Sequence, residues 1–170
     1  MQSRTDKLLV LLEKHGPSLH ALLTRLTFRE DIAEDLMQDL FIRLHNSHKL
    51  ESVENMPAFA RTVAMNLAFD WRRKMKLRRY ANTDDVPEPA AGERGVLDRM
   101  VADERMQAVL NAADRLSKVQ RKVFVMRYIE QQSIDQIAQE TGKTSHHVRA
   151  LCSRALNKVR DLCAKTMIQP

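Results

Sequence analysis

The chain has 170 residues, 44% of them apolar and 29% charged, with a formal net charge of +6 at pH 7. That apolar content excludes wholesale disorder and suffices for one modest core or two small ones. Only 5 prolines and 4 glycines, few β-branched runs and abundant Leu, Ala, Gln, Arg, Lys and Glu exclude a sheet protein and predict an all-α fold.

The first residues hold no signal-type apolar stretch, and no run approaches the ~18 apolar residues that a membrane span needs. A cytoplasmic protein with no membrane insertion is expected. Residues 5–15 (TDKLLVLLEKH) and 18–26 (SLHALLTRL) place apolar side chains at helical spacing, and Gly16-Pro17 between them predicts a bend or a restart. In 29–45 (REDIAEDLMQDLFIRLH), Ile32, Ala33, Leu36, Leu40 and Leu44 form one stripe, which leaves Glu34, Asp35, Gln38 and Asp39 to share an acidic outer face. Taken alone, such a face is more simply a solvated helix surface than a docking site.

A polar loop follows at 46–56, after which Pro57 suits the first turn of a long helix. Its expected inward stripe is Phe59, Val63, Leu67 and Trp71. The last turns carry six cations within 72–79. Cations near a helix C-terminus complement its macrodipole, so part of this run has a purely structural explanation. Residues 82–95 (NTDDVPEPAAGERG) gather two prolines and two glycines among acidic residues, the composition of a linker. The domain organisation expected is therefore 1–81, a linker at 82–96, and 97–170.

Beyond the linker, helices are expected at about 97–114, 118–130, 133–140 and 145–164, with Ser117 and Gln120, and again Ser133 and Gln136, at capping-box spacing. Residues 134–155 (IDQIAQETGKTSHHVRALCSRA) have the spacing of a helix-turn-helix. Ala138 is small where two helices cross, Gly142 can take the positive φ of the turn, and Val148 and Leu151 return the second helix to the core. An ordinary αα-hairpin would show the same pattern. Arg149, Arg154, Lys158 and Arg160 on the second helix favour DNA, since its exposed face would lie in the major groove.

Charge is segregated: Lys and Arg against Asp and Glu give −2 for 1–60, +6 for 61–80, −5 for 81–114 and +7 for 115–170. Two basic blocks flanking an acidic one suggest two contacts with a polyanion. Cys152 and Cys163 are the only cysteines. At ~1.5 Å rise per residue they lie ~16 Å apart on one helix, too far to bridge, which fits a reducing compartment.

No phosphate-binding glycine loop, HExxH pair or cysteine-rich metal spacing occurs. His45 and His48 lack further ligands and read as a surface pair. No enzyme, metal or cofactor is expected. A helix-turn-helix recombinase is the enzymatic alternative, but no serine or tyrosine, Tyr80 and Tyr128 included, stands in an evident basic pocket.

Four stretches, HGPSLHALLTRL, DIAEDLMQDLFIRL, FARTVAMNLAFDWRRK and LSKVQRKVFVMRYIEQQSIDQIAQETGKTSHHVRALCSRALNKVR, occur in order with the acidic linker between the third and fourth. Together they make the chain resemble, over nearly its whole length, the extracytoplasmic-function (ECF) sigma factors. These are the small two-domain members of the sigma-70 family of RNA polymerase initiation subunits. The resemblance implies two small helical domains on a flexible tether and a protein that binds core RNA polymerase to direct promoter-specific initiation. The N-terminal domain would recognise the −10 element and the C-terminal helix-turn-helix the −35 element. Implied partners are core RNA polymerase, promoter DNA as duplex and as melted single strand, and an anti-sigma factor.

Residue by residue, the family's D-L-x-Q-acid stretch, here Asp35, Leu36, Gln38 and Asp39 with Glu34 beside them, docks on a basic coiled coil of the polymerase clamp. The asparagine of the A-x-N motif, here Asn66, lines a pocket for a base flipped from the melted element. An amide offers both donor and acceptor to a base edge. Phe59, Phe69 and Trp71 are candidates to stack on bases, though helical aromatics are commonly core, and Arg72, Arg73, Lys74 and Lys76 would hold phosphates. The recognition helix, opening at Ser145, would put Arg149, Ala150, Ser153 and Arg154 nearest the bases. His146 and His147 depart from the family's small or hydroxyl residues there, and either donate to phosphate or sit at the surface. Phe59-Ala60 stands where the family often has Trp-Leu. Asp84 to Arg94 resembles the connector that threads toward the RNA path; a plain tether is the other reading. From the residues alone, the rival is a free-standing helix-turn-helix regulator with 1–80 as its dimerisation or sensing domain.

Overall fold

The computed structural model describes residues 4–81 and 94–167, and the chain divides into two compact units, Met1–Met75 and Lys76–Pro170. All regular structure among the described residues is helical: α1 (Arg4–Thr27), α2 (Glu30–Asn46), a 3-10 turn (His48–Glu51), α3 (Met56–Ala81), α4 (Arg94–Asp114), α5 (Lys118–Phe124) running into a π turn (Val125–Ile129), α6 (Ile134–Thr141) and α7 (Ser145–Met167). The all-α expectation holds. None of these helices is long and apolar enough to cross a membrane. Most of the expected linker, 82–93, lies outside the described residues, and α4 begins at Arg94 rather than near Leu97.

In the first unit α1 continues through Pro17 with no restart. Interior proline costs roughly 3 kcal/mol, whereas each fully buried leucine contributes about 1.5–3. Leu19, Leu22, Leu23 and Leu26 beyond the proline continue the register of Leu8 and Leu11, and all six are buried. Packing therefore outweighs the local break, and Gly16, with no Cβ, spares the clash that proline imposes on its predecessor. The turn into α2 is tight: Phe28 sits at φ 59 and donates its N–H to Thr24 O at 2.8 Å. The buried Thr27 hydroxyl donates to Leu23 O at 2.8 Å. Helix α2 then packs on α1 through Ala33, Leu36, Leu40 and Leu44, the stripe read from the sequence, with Ile32 only half-buried.

Asn55 caps α3, its side-chain oxygen accepting from Ala58 N at 3.0 Å, and Pro57 occupies the first turn. The expected inward stripe needs correction. Ala60, Ala64, Leu67, Ala68 and Phe69 are buried, while Phe59, Val63 and Trp71 are only half-buried. The helix turns its alanine row inward, with Ala60, Ala64 and Ala68 all buried, and leaves two of the larger side chains toward the rim.

In the second unit, Val123, Phe124, Val125 and Met126 are all buried in succession. A regular helix would carry some of four consecutive residues to solvent. The π turn, closed by Glu130 N donating to Val125 O at 3.0 Å, replaces the regular end expected for 118–130. Gln131 at φ 57 and Arg127 Nη1, donating to Gln132 O at 2.8 Å, redirect the chain into α6. At the junction of α4 and α5, buried Arg121 donates through Nη1 to Asp114 Oδ1 at 3.0 Å.

Helix α6 carries the full capping box expected at its start: Ser133 Oγ accepts from Gln136 N at 3.1 Å, and Gln136 Oε1 accepts from Ser133 N at 2.8 Å. At Ser117 the first arm forms, Oγ accepting from Gln120 N at 3.3 Å. Gly142 ends α6 at φ 65, its N–H donated to Ala138 O, and Lys143 N donates to the same oxygen at 3.1 Å. Nothing lies within 4 Å of a Cβ built at Gly142. Gly142→Ala should therefore cost only the backbone penalty, about 1 kcal/mol, and Gly142→Asn less. Urea unfolding of the full chain measures both, and equal stability of all three proteins would refute it.

Candidate functional site

Three exposed faces rest on these cores. On α2 the buried leucines fix the rotation, so Glu34, Asp35, Gln38 and Asp39 all stand exposed. The face is acidic, and it follows Glu30 and Asp31 in the first turn, where the helix dipole favours acids. It can receive a basic surface.

The second face runs along α3. At about 100° per residue, the buried row Ala60, Ala64, Ala68 and Arg72 fixes one side, and Phe59, Asn66, Asp70 and Arg73 fall within an arc of about 60° on the other. Phe59 and Asn66 are half-buried, while the Asp70 and Arg73 side chains are 43% and 46% exposed. Arg73 is anchored twice, Nη2 donating to Asp70 Oδ1 at 2.9 Å and Nε to Phe69 O at 3.3 Å. Lys74 and Lys76 are exposed. The face thus offers an aromatic edge, an amide, a carboxylate and cations in sequence along one helix.

Three of the expected contacts lie elsewhere. Arg72 is 8% exposed and donates through Nη1 to Leu26 O at 3.1 Å. It satisfies a carbonyl in the last turn of α1, where a cation also complements the dipole. It is therefore a structural residue and not a surface cation. Trp71 lies about 140° around the helix from Asn66 and does not share its face. Phe69 is fully buried, a core residue.

The third face belongs to α7. Val148, Leu151 and Cys152 join Val123, Met126, Ile137 and Ala138 in one core cluster, and Ala155 and Val159 continue it. Ala138 and Val148 thus occupy the crossing positions expected of a helix-turn-helix. The opposite side presents His146, His147, Arg149, Ser153 and Arg154, all exposed, with half-buried Ala150 among them. Thr144 caps the helix, its Oγ1 accepting from His147 N at 3.2 Å. Ser145 Oγ donates to Asp135 Oδ1 at 2.6 Å, so this hydroxyl ties α7 to α6. Exposed Asn157 extends the same face by a turn. Neither it nor Asp70 was singled out from the sequence, although the i+4 spacing from Ser153 and from Asn66 was the available signal.

Both cysteines are free. Burial pushes the Cys152 and Cys163 thiols up from their ordinary range, which makes them poor nucleophiles. His45 stacks against Phe41, ring centroids 6.1 Å apart. His20, Glu30 and Glu34 bring ligand atoms within 4.8 Å of one another, but both carboxylates are exposed, a state that hydrated acids adopt without an ion.

Residues 11–78 match the family described as Sigma-70 region 2, and residues 106–159 that described as Sigma-70, region 4. The ECF RNA polymerase sigma factor SigX of Bacillus subtilis is 25% identical over 156 residues, covering 89% of this chain and 80% of that protein. The ECF RNA polymerase sigma factor SigE of Mycolicibacterium smegmatis is 29% identical over 157 residues, 91% of this chain but 61% of the relative. Among solved structures, the sigma factor RpoE in complex with the anti-sigma factor NepR from Bartonella quintana aligns over 93% of this chain and 94% of its own, at 23% identity and a TM-score of 0.42.

Arg72 and Lys74 should separate cleanly in stability. Arg72→Ala removes a charged hydrogen bond and leaves Leu26 O unpaired, a loss of about 1.5–3 kcal/mol, whereas Lys74→Ala should stay within about 0.5. Trp71, the only tryptophan, reports unfolding of the first unit by fluorescence. Equal midpoints for the two variants would refute the structural role of Arg72.

Proposed function

We propose that this chain, which belongs to the ECF group of the sigma-70 family and is a sigma factor for transcription initiation, reads a bipartite promoter with its two units. The observation that carries the reading is the pairing on one chain of a region 2 and a region 4, each with a polar face on a buried scaffold. It has no chemistry of its own and works by binding and positioning.

In this reading the α2 face, with Glu34, Asp35, Gln38 and Asp39, docks on a basic surface of core RNA polymerase. Asn66 receives an unpaired base of the −10 element, Phe59 supplies an aromatic edge, and Arg73, Lys74 and Lys76 hold phosphates, which position the strand without specifying it. The α7 helix enters the major groove of the −35 element, where Arg149 and Arg154 can pair with guanine edges, and Ala150 leaves clearance beside Ser153. His146 and His147 flank the helix start within reach of the backbone. An anti-sigma factor belongs among the partners on family membership alone, and the cytoplasm is where such partners meet.

Dividing recognition between two small surfaces has a kinetic logic. Each alone binds DNA weakly and with strong salt dependence, and joining them on one polymerase-bound chain makes the second contact effectively intramolecular. Specific initiation therefore arises only in the holoenzyme.

The test mixes purified protein with core polymerase and a genomic promoter library, and maps transcript starts. Transcripts that depend on the added protein are expected; their absence would sink the proposal, and tight duplex binding at symmetric half-sites without polymerase would favour a free-standing regulator. Asn66→Ala should lower open-complex formation with polymerase binding intact. Arg154→Ala should weaken or relax −35 recognition by ~1–3 kcal/mol.

A further inference from the structure

We propose that Asp70 is a specificity-determining residue of the α3 face, accepting a hydrogen bond from the exocyclic amino group of an unpaired base one helical turn beyond Asn66. The inference rests on the reading of α3 as the single-strand surface and assigns a residue and a base class to it.

Asp70 is the only acid in α3. It stands four residues from Asn66, on the same face, and is followed by Arg73 and Lys74. For affinity alone this is a poor choice, because a carboxylate beside a polyanion repels phosphate and offsets a neighbouring cation. An exposed i,i+3 pair contributes little to helix stability, so the acid is not explained as a helix brace either. What a carboxylate adds is selectivity. An ionised carboxylate only accepts, whereas the Asn66 amide both donates and accepts and can suit any base edge.

The carboxylate is also held for use. Arg73 Nη2 donates to Oδ1 at 2.9 Å, and the same guanidinium is pinned through Nε to Phe69 O at 3.3 Å. One carboxylate oxygen is thereby fixed by a clamp on its own helix, and Oδ2 stays open to a ligand. Cytosine, adenine and guanine each carry an exocyclic amino group for such an acceptor; thymine carries none, and its single N3–H lies between two carbonyl oxygens that repel a carboxylate. Asp70 therefore selects against thymine at one melted position.

The experiment uses holoenzyme reconstituted from core polymerase and the full chain, on a promoter library randomised through the melted segment with flanking elements held constant. The wild-type protein should reject thymine at one position by roughly five- to tenfold. Asp70→Ala should lose that preference while other positions keep theirs, and Asp70→Asn, which adds a donor of the same shape, should admit thymine. Unchanged preferences in both variants overturn the proposal. So does a uniform loss at every position accompanied by loss of polymerase binding, which would make Asp70 a structural residue. Absence of any transcript with wild-type protein is a different failure, that of the sigma reading itself.

Discussion

A buried guanidinium holds the first unit in register. Arg72 reaches from α3 to Leu26 O at the end of α1, and that bond agrees with the buried row Ala60, Ala64 and Ala68 in fixing which side of α3 faces inward. Asn66 lies six residues upstream on the same rigid rod, so its outward aspect follows from where Arg72 points inward. The second unit repeats the device: Arg121 closes the end of α4 through Asp114. In a chain this rich in Lys and Arg, two of the cations serve at helix ends and are not part of the exposed basic surface. Burying such cations is tolerable because Arg72 satisfies a carbonyl that a helix end leaves open and Arg121 is paired with a carboxylate.

The parts of the fold legible in the sequence were those governed by local periodicity and capping. The leucine stripe of α2, the Ser133–Gln136 box and Gly142 needed only the context of their own helix and its ends. What was not legible depended on partners far away in sequence. Gly16-Pro17 announced a break because the cost of proline is local, while the leucines that overrule it act through packing with α2. The inward stripe of α3 was set one residue out of phase, since aromatics are the default choice for a core and alanines are not. Only the packing of the whole unit decides that Ala60, Ala64 and Ala68 are the buried row. Arg72 looked like one more cation in a basic run because nothing nearby in the chain reveals the carbonyl 46 residues away.

The same limits applied to the candidate sites. The acidic face of α2 and the outer face of α7 followed from their buried stripes, and the structure exposes the residues expected there. On α3 the phase error moved Trp71 and Phe69 off the face and hid the alignment of Phe59, Asn66, Asp70 and Arg73. A residue type suited to DNA is weak evidence until the helix rotation is known, and that rotation belongs to the core.

In α7 the side chains that hold the helix and those that face outward are disjoint. Val148, Leu151, Cys152, Ala155 and Val159 pack inward, and the start is fixed separately by Thr144, by Ser145 to Asp135 and by the turn at Gly142. Outer positions can therefore change identity under mutation with little effect on folding. Such a module can drift through sequence space along its outer face alone. Duplicated copies of such a unit can diverge on that face without passing through an unfolded intermediate, whatever the face contacts.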